Sequence, residues 1–580
     1  MDLSNYFLQP ASVAQKQYEA LRMYYVEGKK AEEVAQLFGY KYRAFTSLVS
    51  DFKRNVEQNN GSEMFFVHRH PGRHRHENKD KIKEIAVKLR KKNFSIEDIK
   101  ISLDAAGYKV AENTIYLLLK NEGFARLPKR TKQQKQLPEK VKIQAEKTSI
   151  LSFKNESFKT SFGGILSFLP YIKKYGIDTI IENSLYPQTS TMPRFQSIMS
   201  FLALKLSDFR RYSCDDMWCM DRGTGLFAGL NVLPKTSWFS SYSDRVTKNM
   251  NIEFLKQLHK VWLKTGVLGD TANLDFTTIP YWGDDDHLEN NWSGKRNKAL
   301  ASMLSVLAHD PDSGIIDYGR ADVTHRNESA VVLEFLDFYK HNGNKKDNLK
   351  YIVFDNKFTN YENLSKLDDN DVKFITIRRR GKNIVQEINS IPVQSWKTIT
   401  IKKSGNKSRK VKVHEKIVFL KGYNKEIRQI YITGNGKIKP AIIITNDFDI
   451  SENEIVRKYA KRWLVEKVIS EQIEFFHLNK VSSSMVIKVD FDLTMSILAH
   501  NIYRLLALDL DNYSHLTSQS IYEKFLSNSA EIHIQEDQIV VMLKKKRNLP
   551  LILEKMEAFE NNKYSWLNNK KIVFAGATYS

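Results

Sequence analysis

Tyr351-Ile352-Val353-Phe354 is an unbroken apolar run that ends on an acid, Asp355. Successive side chains of a strand point to opposite faces, so four large apolar residues in a row predict a central strand buried on both sides. The chain around it alternates in the same way. Residues 273–279 read as a strand with Leu274, Phe276 and Thr278 on one face and Asp275 on the other. Residues 299–308, 313–318 and 372–377 read as further strands. Residues 328–339 read as a helix carrying Val331, Val332, Phe335 and Leu336.

The order strand, strand, strand, helix, strand, helix, strand fits a ribonuclease-H-like α/β fold, in which the first and fourth strands lie side by side. That order makes neighbours of Asp275 and Asp355. Two adjacent carboxylates repel, and both ionise only with a cation between them. Their oxygens suit magnesium or manganese, and two such ions about 4 Å apart can activate a water and stabilise the leaving oxygen of a phosphodiester. Asp270 is close by, and the Asp284-Asp285-Asp286 trio reads as a solvated turn after Pro280 and Gly283. A third ligand is expected from a helix over 452–476, where the spacing of Tyr459, Arg462 and Glu466 puts all three on one face. An exposed charged stripe would show the same spacing.

Lys and Arg number 90 against 67 Asp and Glu, a net charge of +23. That excess implies a polyanionic partner, either nucleic acid or an anionic membrane surface. No run of about 18 apolar residues supports the membrane, and the acidic start Met1-Asp2 is unlike a secretory signal. Cys214 and Cys219 cannot make a disulfide framework and read as core thiols rather than a zinc site. A soluble intracellular protein is expected.

The first 128 residues carry a pattern suited to DNA. Residues 31–38 and 41–54 read as two helices around a turn at Gly39, with Val34, Ala35, Leu37 and Phe38 on the first and Phe45, Leu48, Val49 and Phe52 inward on the second. Arg43, Lys53 and Arg54 are left outward. The pattern returns over 79–121, with a Ser95 cap, a turn at Gly107 and Ile115, Leu118 and Leu119 inward. An ordinary helical hairpin is the plainer reading of either unit alone. Between them, His68-Arg69-His70-Pro71-Gly72-Arg73-His74-Arg75-His76 reads as a basic arm for a narrow minor groove, and its Pro-Gly-Arg-x-Arg resembles the core of an AT-hook. A histidine metal site or a solvated linker would also account for it.

Three motifs together resemble one family. Tyr459-x2-Arg462-x3-Glu466 is similar to the signature helix of the DDE-type insertion-sequence transposases of the Y-R-E-K branch, and Leu274-Asp275-Phe276-Thr277 and Val353-Phe354-Asp355-Asn356-Lys357-Phe358 are similar to its two aspartate strands. The resemblance covers roughly residues 266–508. It implies that Asp275, Asp355 and Glu466 are a catalytic triad holding two Mg2+ or Mn2+ ions, and that Tyr459 and Arg462 hold phosphates. Two departures stand out: Ile473 occupies the place of the signature lysine, which Lys467 or Lys480 would have to replace, and Asn356-Lys357 replaces the glycine usual after the second aspartate. The family also carries a β-rich insertion that grips the transposon end and in some members stacks a flipped base. Arg378-Arg379-Arg380 opens this stretch, residues 410–419 and 427–433 look like its strands, and Gly422 and Gly434-Asn435-Gly436 like its turns. Trp396 is a candidate for stacking there, or a core residue.

The expected layout is a helix-turn-helix unit (1–60), basic arm (61–78), second helix-turn-helix unit (79–128), linker (129–157) and helical region (158–265). The core follows (266–382), interrupted by the insertion (383–440), then resumed with the signature helix (441–508) and closed by a C-terminal region (509–580) containing a hairpin across Asp537 and a basic 544–547. By resemblance the partner is double-stranded DNA, terminal inverted repeats and target, bound by a homodimer in a prokaryotic cytoplasm. A related nuclease or resolvase, or a non-catalytic DNA-binding regulator, would share many of these features.

Overall fold

The computed structural model describes residues 5–10, 12–58, 65, 78–92, 94–124, 150–189, 192–209, 217–281, 288–293, 297–340, 349–402, 408–434, 440–478 and 486–577. The basic arm with Arg73, Arg75 and its four histidines lies outside them, as do most of the linker, Cys214, the trio 284–286, Asn435-Gly436 and Lys480.

The chain divides into two compact units, Met1–Asp80 and Lys81–Ser580. In the first, helices Val13–Tyr25, Ala31–Leu37 and Tyr42–Gln58 close over Ala20, Val34, Ala35, Phe38 and Phe45. Gly39 turns the chain at φ +65°, a conformation that a side chain would resist. The helix Val13–Tyr25 was not foreseen, and Leu37 faces solvent instead of joining the core. Arg43, Lys53 and Arg54 are exposed. Helices Lys79–Lys91, Ile96–Ala105 and Glu112–Asn121 pack around Ile82, Ala86, Ile99, Leu103, Ile115, Leu118 and Leu119. Ser95 caps the middle helix reciprocally: its Oγ accepts from Asp98 N–H at 3.1 Å, and its own N–H donates to Asp98 Oδ2 at 3.0 Å.

Strand β1 (Glu156–Thr160) opens a region that is otherwise helical, including Arg194–Leu206 and Lys248–Lys264. A ten-stranded sheet follows. Its strands are β2 (Thr271–Pro280), β3 (Asn290–Ser293), β4 (Lys298–His309), β5 (Ile316–Val323), β6 (Tyr351–Phe354), β7 (Lys373–Ile377), β8 (Lys397–Lys402), β9 (Ser408–Phe419), β10 (Glu426–Thr433) and β11 (Ala441–Thr445). The order is β3-β4-β2-β6-β7-β11-β10-β9-β8, with β5 also on β4. Its first part, β5-β4-β2-β6-β7, is a mixed sheet that fits a ribonuclease-H-like core, and β2 and β6 are parallel neighbours as expected. All four residues of β6 are buried. The strand expected over 313–318 starts later, because Asp310 folds 312–313 into a turn by accepting from both backbone N–H groups.

Antiparallel β7–β11 pairing carries the sheet directly into the expected insertion. Helix Lys382–Ser390 and strand β8 are additions to what the pattern predicts there. The helix expected over 452–476 is two helices, Glu452–Lys461 and Trp463–Glu474, meeting at Arg462. Helix Val486–Asp509 runs through the core. The C-terminal hairpin forms as β12 (Ala530–Ile534) and β13 (Gln538–Leu543), and with β14 (Lys563–Tyr564), β15 (Lys570–Gly576) and β1 it makes a second sheet, β1-β12-β13-β15-β14. No helix among the described residues is long and apolar enough to cross a membrane, and Cys219 is buried.

Candidate active site

Strand register brings the first two acids together. Leu274 of β2 lies opposite Phe354 of β6 in a parallel ladder. Asp275 and Asp355 are each the next residue, so they sit side by side where the strands separate, about 4.8 Å apart along the hydrogen-bonding direction. Each carboxylate is steadied by the backbone that follows it: Asp275 Oδ1 accepts from Phe276 N–H at 2.8 Å, and Asp355 Oδ1 from Asn356 N–H at 2.6 Å. Just beyond, the rings of Phe276 and Phe358 stack at 4.0 Å with planes 6° apart. This stack ties the middle of β2 to the turn after β6, and thus one acid's support to the other's.

The third acid arrives on the interrupted helix. At the junction the hydrogen bonds tighten, with Arg462 N–H donating to the Tyr459 carbonyl and Val465 N–H to that of Arg462, both three residues back. Asn273, buried in β2, donates to the Lys461 carbonyl at 3.2 Å and pins the junction to the sheet. From there the Arg462 guanidinium, only 7% exposed, turns inward. Its Nη1 donates to Asp275 Oδ2 at 2.7 Å and its Nη2 to Glu466 Oε1 at 3.2 Å. It also lies over the Tyr459 ring, 5.5 Å from the centroid. Glu466 remains 54% exposed.

The electrostatics follow from burial and crowding. Burial pushes the Asp275 carboxyl up to about 6; Arg462 and the Phe276 N–H pull it down, and the charges of Asp355 and Glu466 push it up again. Burial works against the charge on Arg462, but Tyr459, Asp275, Asp355 and Glu466 more than offset it and hold its pKa above the usual value. Burial also raises the Tyr459 hydroxyl to about 12. Asp275 and Arg462 each feel the charges of Asp355 and Glu466 as well as one another's.

Three carboxylates offer only oxygen donors, which suits a hard divalent cation. Among the described residues no three His, Cys, Asp or Glu groups gather closely enough to form a ready metal shell. The geometry explains this, because the Arg462 guanidinium stands between Asp275 and Glu466 and itself supplies the positive charge. The oxygen donors are of the kind a divalent cation takes, and the Arg462 guanidinium bridges two of them.

The remaining candidates are placed as follows. Arg378 donates to Gln429 Oε1 at 2.6 Å and Arg380 to the Pro440 carbonyl at 3.1 Å, while Arg379 is exposed. Trp396 is half-buried against the small core of Ile388, Tyr431 and Ile442. Ile473 is half-buried in its helix and Lys467 is exposed beside Glu466. Asn273, Phe276 and Phe358 have supporting roles that the sequence reading missed. A polar Asn273 at the start of an apolar strand was the available signal.

Residues 272–502 match the family model described as Transposase DDE domain. No curated protein matches the chain. Among solved structures, the chain is similar to one described as the cryo-EM structure of piggyBac transposase synaptic complex with hairpin DNA, at 11% identity over 64% of this chain and 82% of that chain, with a TM-score of 0.34.

Proposed function

We propose that this protein is a DNA transposase that binds the terminal inverted repeats of its element, cuts the strand ends and joins them to target DNA. The observation that carries this reading is the side-by-side placement of Asp275 and Asp355, one residue past a paired Leu274 and Phe354, within the segment that matches a Transposase DDE domain.

In the first step a water oxygen forms a bond to phosphorus and the 3′ oxygen leaves with a proton. In the second, the freed 3′ hydroxyl attacks a phosphodiester of the target, whose own 3′ oxygen leaves. Asp275, Asp355 and Glu466 would hold divalent metal, Mg2+ or Mn2+, which supplies Lewis-acid charge at the reacting phosphate when bound. Arg462 neutralises the crowded acids and presents its guanidinium where a phosphate oxygen can accept from it. Tyr459 backs Arg462. Outside the site, Arg43, Arg73, Arg75 and Arg378-Arg379-Arg380 are proposed DNA contacts, with the helical N-terminus and basic arm recognising the repeats. Trp396 packs within the insertion, which grips the transposon end. Two copies would act on the paired ends.

A nicking and strand-transfer assay on DNA carrying the element's ends tests the proposal. The wild type should nick and join in magnesium, and Asp355→Asn should bind the same DNA without nicking it. Nicking with no joined product would favour a nuclease or resolvase. A wild type that binds and never nicks would favour a regulator.

A further inference from the structure

The helix that carries Glu466, Trp463–Glu474, does not inherit its direction from the helix before it, because the chain breaks at Arg462. Asn273 and Asp275 hold the junction at its near end. Its buried face is short, made of Val465, Val468 and Gln472, and apolar packing has no direction of its own. Glu471 holds the far end. Its carboxylate accepts from the Ser518 N–H at 3.1 Å and from the Ser518 hydroxyl at 2.7 Å, both on Oε2. Nδ1 of His500 lies 3.6 Å from the same oxygen. Burial works to raise the Glu471 carboxyl, but His500 and Ser518 more than offset it and hold it below the usual range. These partners are themselves fixed. His500, buried in helix Val486–Asp509, donates from Nε2 to the Gly314 carbonyl at 2.9 Å. Arg504, one turn further on, donates to the Ser313 carbonyl at 3.0 Å and the Leu516 carbonyl at 3.3 Å. Lys461, just before the break, donates to Asp312 at 2.6 Å. The turn between β4 and β5 is thus tied to both helices that flank the break.

We infer that Glu471 is a positioning residue for Glu466: by anchoring the far end of the interrupted helix to Ser518 and His500, it sets the angle at which Glu466 is presented to Asp275 and Asp355. The inference rests on the transposase reading and adds to it a residue that acts through the helix. The two glutamates are five residues apart, a rise of about 7.5 Å and roughly 140° around the axis, so they point to different sides. Glu471 therefore stays clear of the three acids and reaches the frame behind them. Hydrogen bonds are directional where apolar contact is not, and two of them on one carboxylate restrict both rotation and sliding of the helix. With an anchor at each end, the half-exposed Glu466 is offered in one orientation. A displacement of roughly 1 Å at a reacting group can cost about a hundredfold in rate, so the far anchor matters to chemistry as well as to packing.

The test uses full-length protein with Glu471→Ala, Glu471→Gln or Ser518→Ala, read by nicking of end-bearing DNA and by hydrogen exchange of the amides of 463–474. With Glu471→Ala the nicking rate at saturating DNA should fall roughly hundredfold, while the DNA concentration for half-saturation stays as in the wild type. Exchange over 463–474 should rise and that of β6 should not. Glu471→Gln still offers an oxygen to Ser518, so it should restore most of the rate and the slow exchange. If Glu471→Ala does not fold, Ser518→Ala, which removes one of the two donors, should show the same changes in smaller size. A normal rate or unchanged exchange in the variant that folds overturns the inference. So does a Glu471→Gln protein as slow as Glu471→Ala, or exchange that rises equally in β6, which would mark a general loosening. The exchange measurement needs no catalysis. A wild type that never nicks would therefore sink the transposase reading and leave the anchor to be decided by exchange, so the two can fail independently.

Discussion

By donating to both Asp275 and Glu466, Arg462 joins two of the three candidate acids through one guanidinium. Two predictions follow from the charges involved. Asp275→Asn, Asp355→Asn and Glu466→Gln each keep size and remove a negative charge, so each should shift end-bearing DNA in a gel normally and fail to nick it in magnesium. Metal ligation also needs Asp275 ionised. With no cation bound, burial raises its carboxyl to about 6, so at limiting magnesium nicking should rise with pH through about 6 and level off above. Replacing Arg462 with Met removes the chief group that favours the charged form, and the midpoint should move upward in a pH–rate profile. The sign for stability is the reverse of the common carboxylate case. The folded chain binds this proton more tightly than the unfolded chain, so the neutral form's contribution is full below the ordinary 3.8 and is lost as pH rises through 6. Asp355 was legible because it ends a fully buried run, and Glu466 because its spacing to Tyr459 and Arg462 fixed a face. The inward turn of Arg462 was not legible: spacing says which residues share a face, not which acid a long flexible cation will choose.

Phe276 and Phe358 join the middle of β2 to the turn after β6, and the candidate acids lie one and three residues away. Phe358 is buried, so Phe358→Ala should cost about 3 kcal/mol in denaturant unfolding. It should lower nicking as well, by loosening the turn that supports Asp355. Trp396→Ala tests the insertion in the same manner. As a half-buried packing residue it should lower the midpoint of unfolding by about 1–2 kcal/mol, with end processing intact at temperatures where the variant is folded. The strands of the core were readable from alternation and burial, since these are local patterns. The break at Arg462 was not, because no glycine or proline marks it; it comes from a tightened hydrogen-bonding turn held by Asn273. Nor was the extension of the sheet through β11, since pairing between β7 and a strand more than sixty residues later leaves no local trace.

At the scale of the molecule the net charge of +23 calls for a polyanionic partner. Deleting residues 1–130 should abolish preference for the terminal repeats and leave weak binding that falls steeply with salt, since such binding is counterion release. A footprint that survives the deletion would place recognition in the remaining chain. The helical character of the N-terminus was legible from its caps and glycine turns, whereas the helix Val13–Tyr25 was not read, although Ala20 and Tyr24, four apart, share its inner face. One feature described above also governs how this protein comes into being. Strand β1 finds its partner in β12, with Glu156 opposite Ile534, so the body that contains the candidate site is sewn shut by a pairing across most of the chain. A nascent chain emerges from its first residue onward. The helices of Met1–Asp80 can settle within themselves early, while the unit that contains the candidate site must wait for Ile534. The order of synthesis thus acts as a clock: the N-terminal helical unit can be complete well before the body around the candidate site is closed.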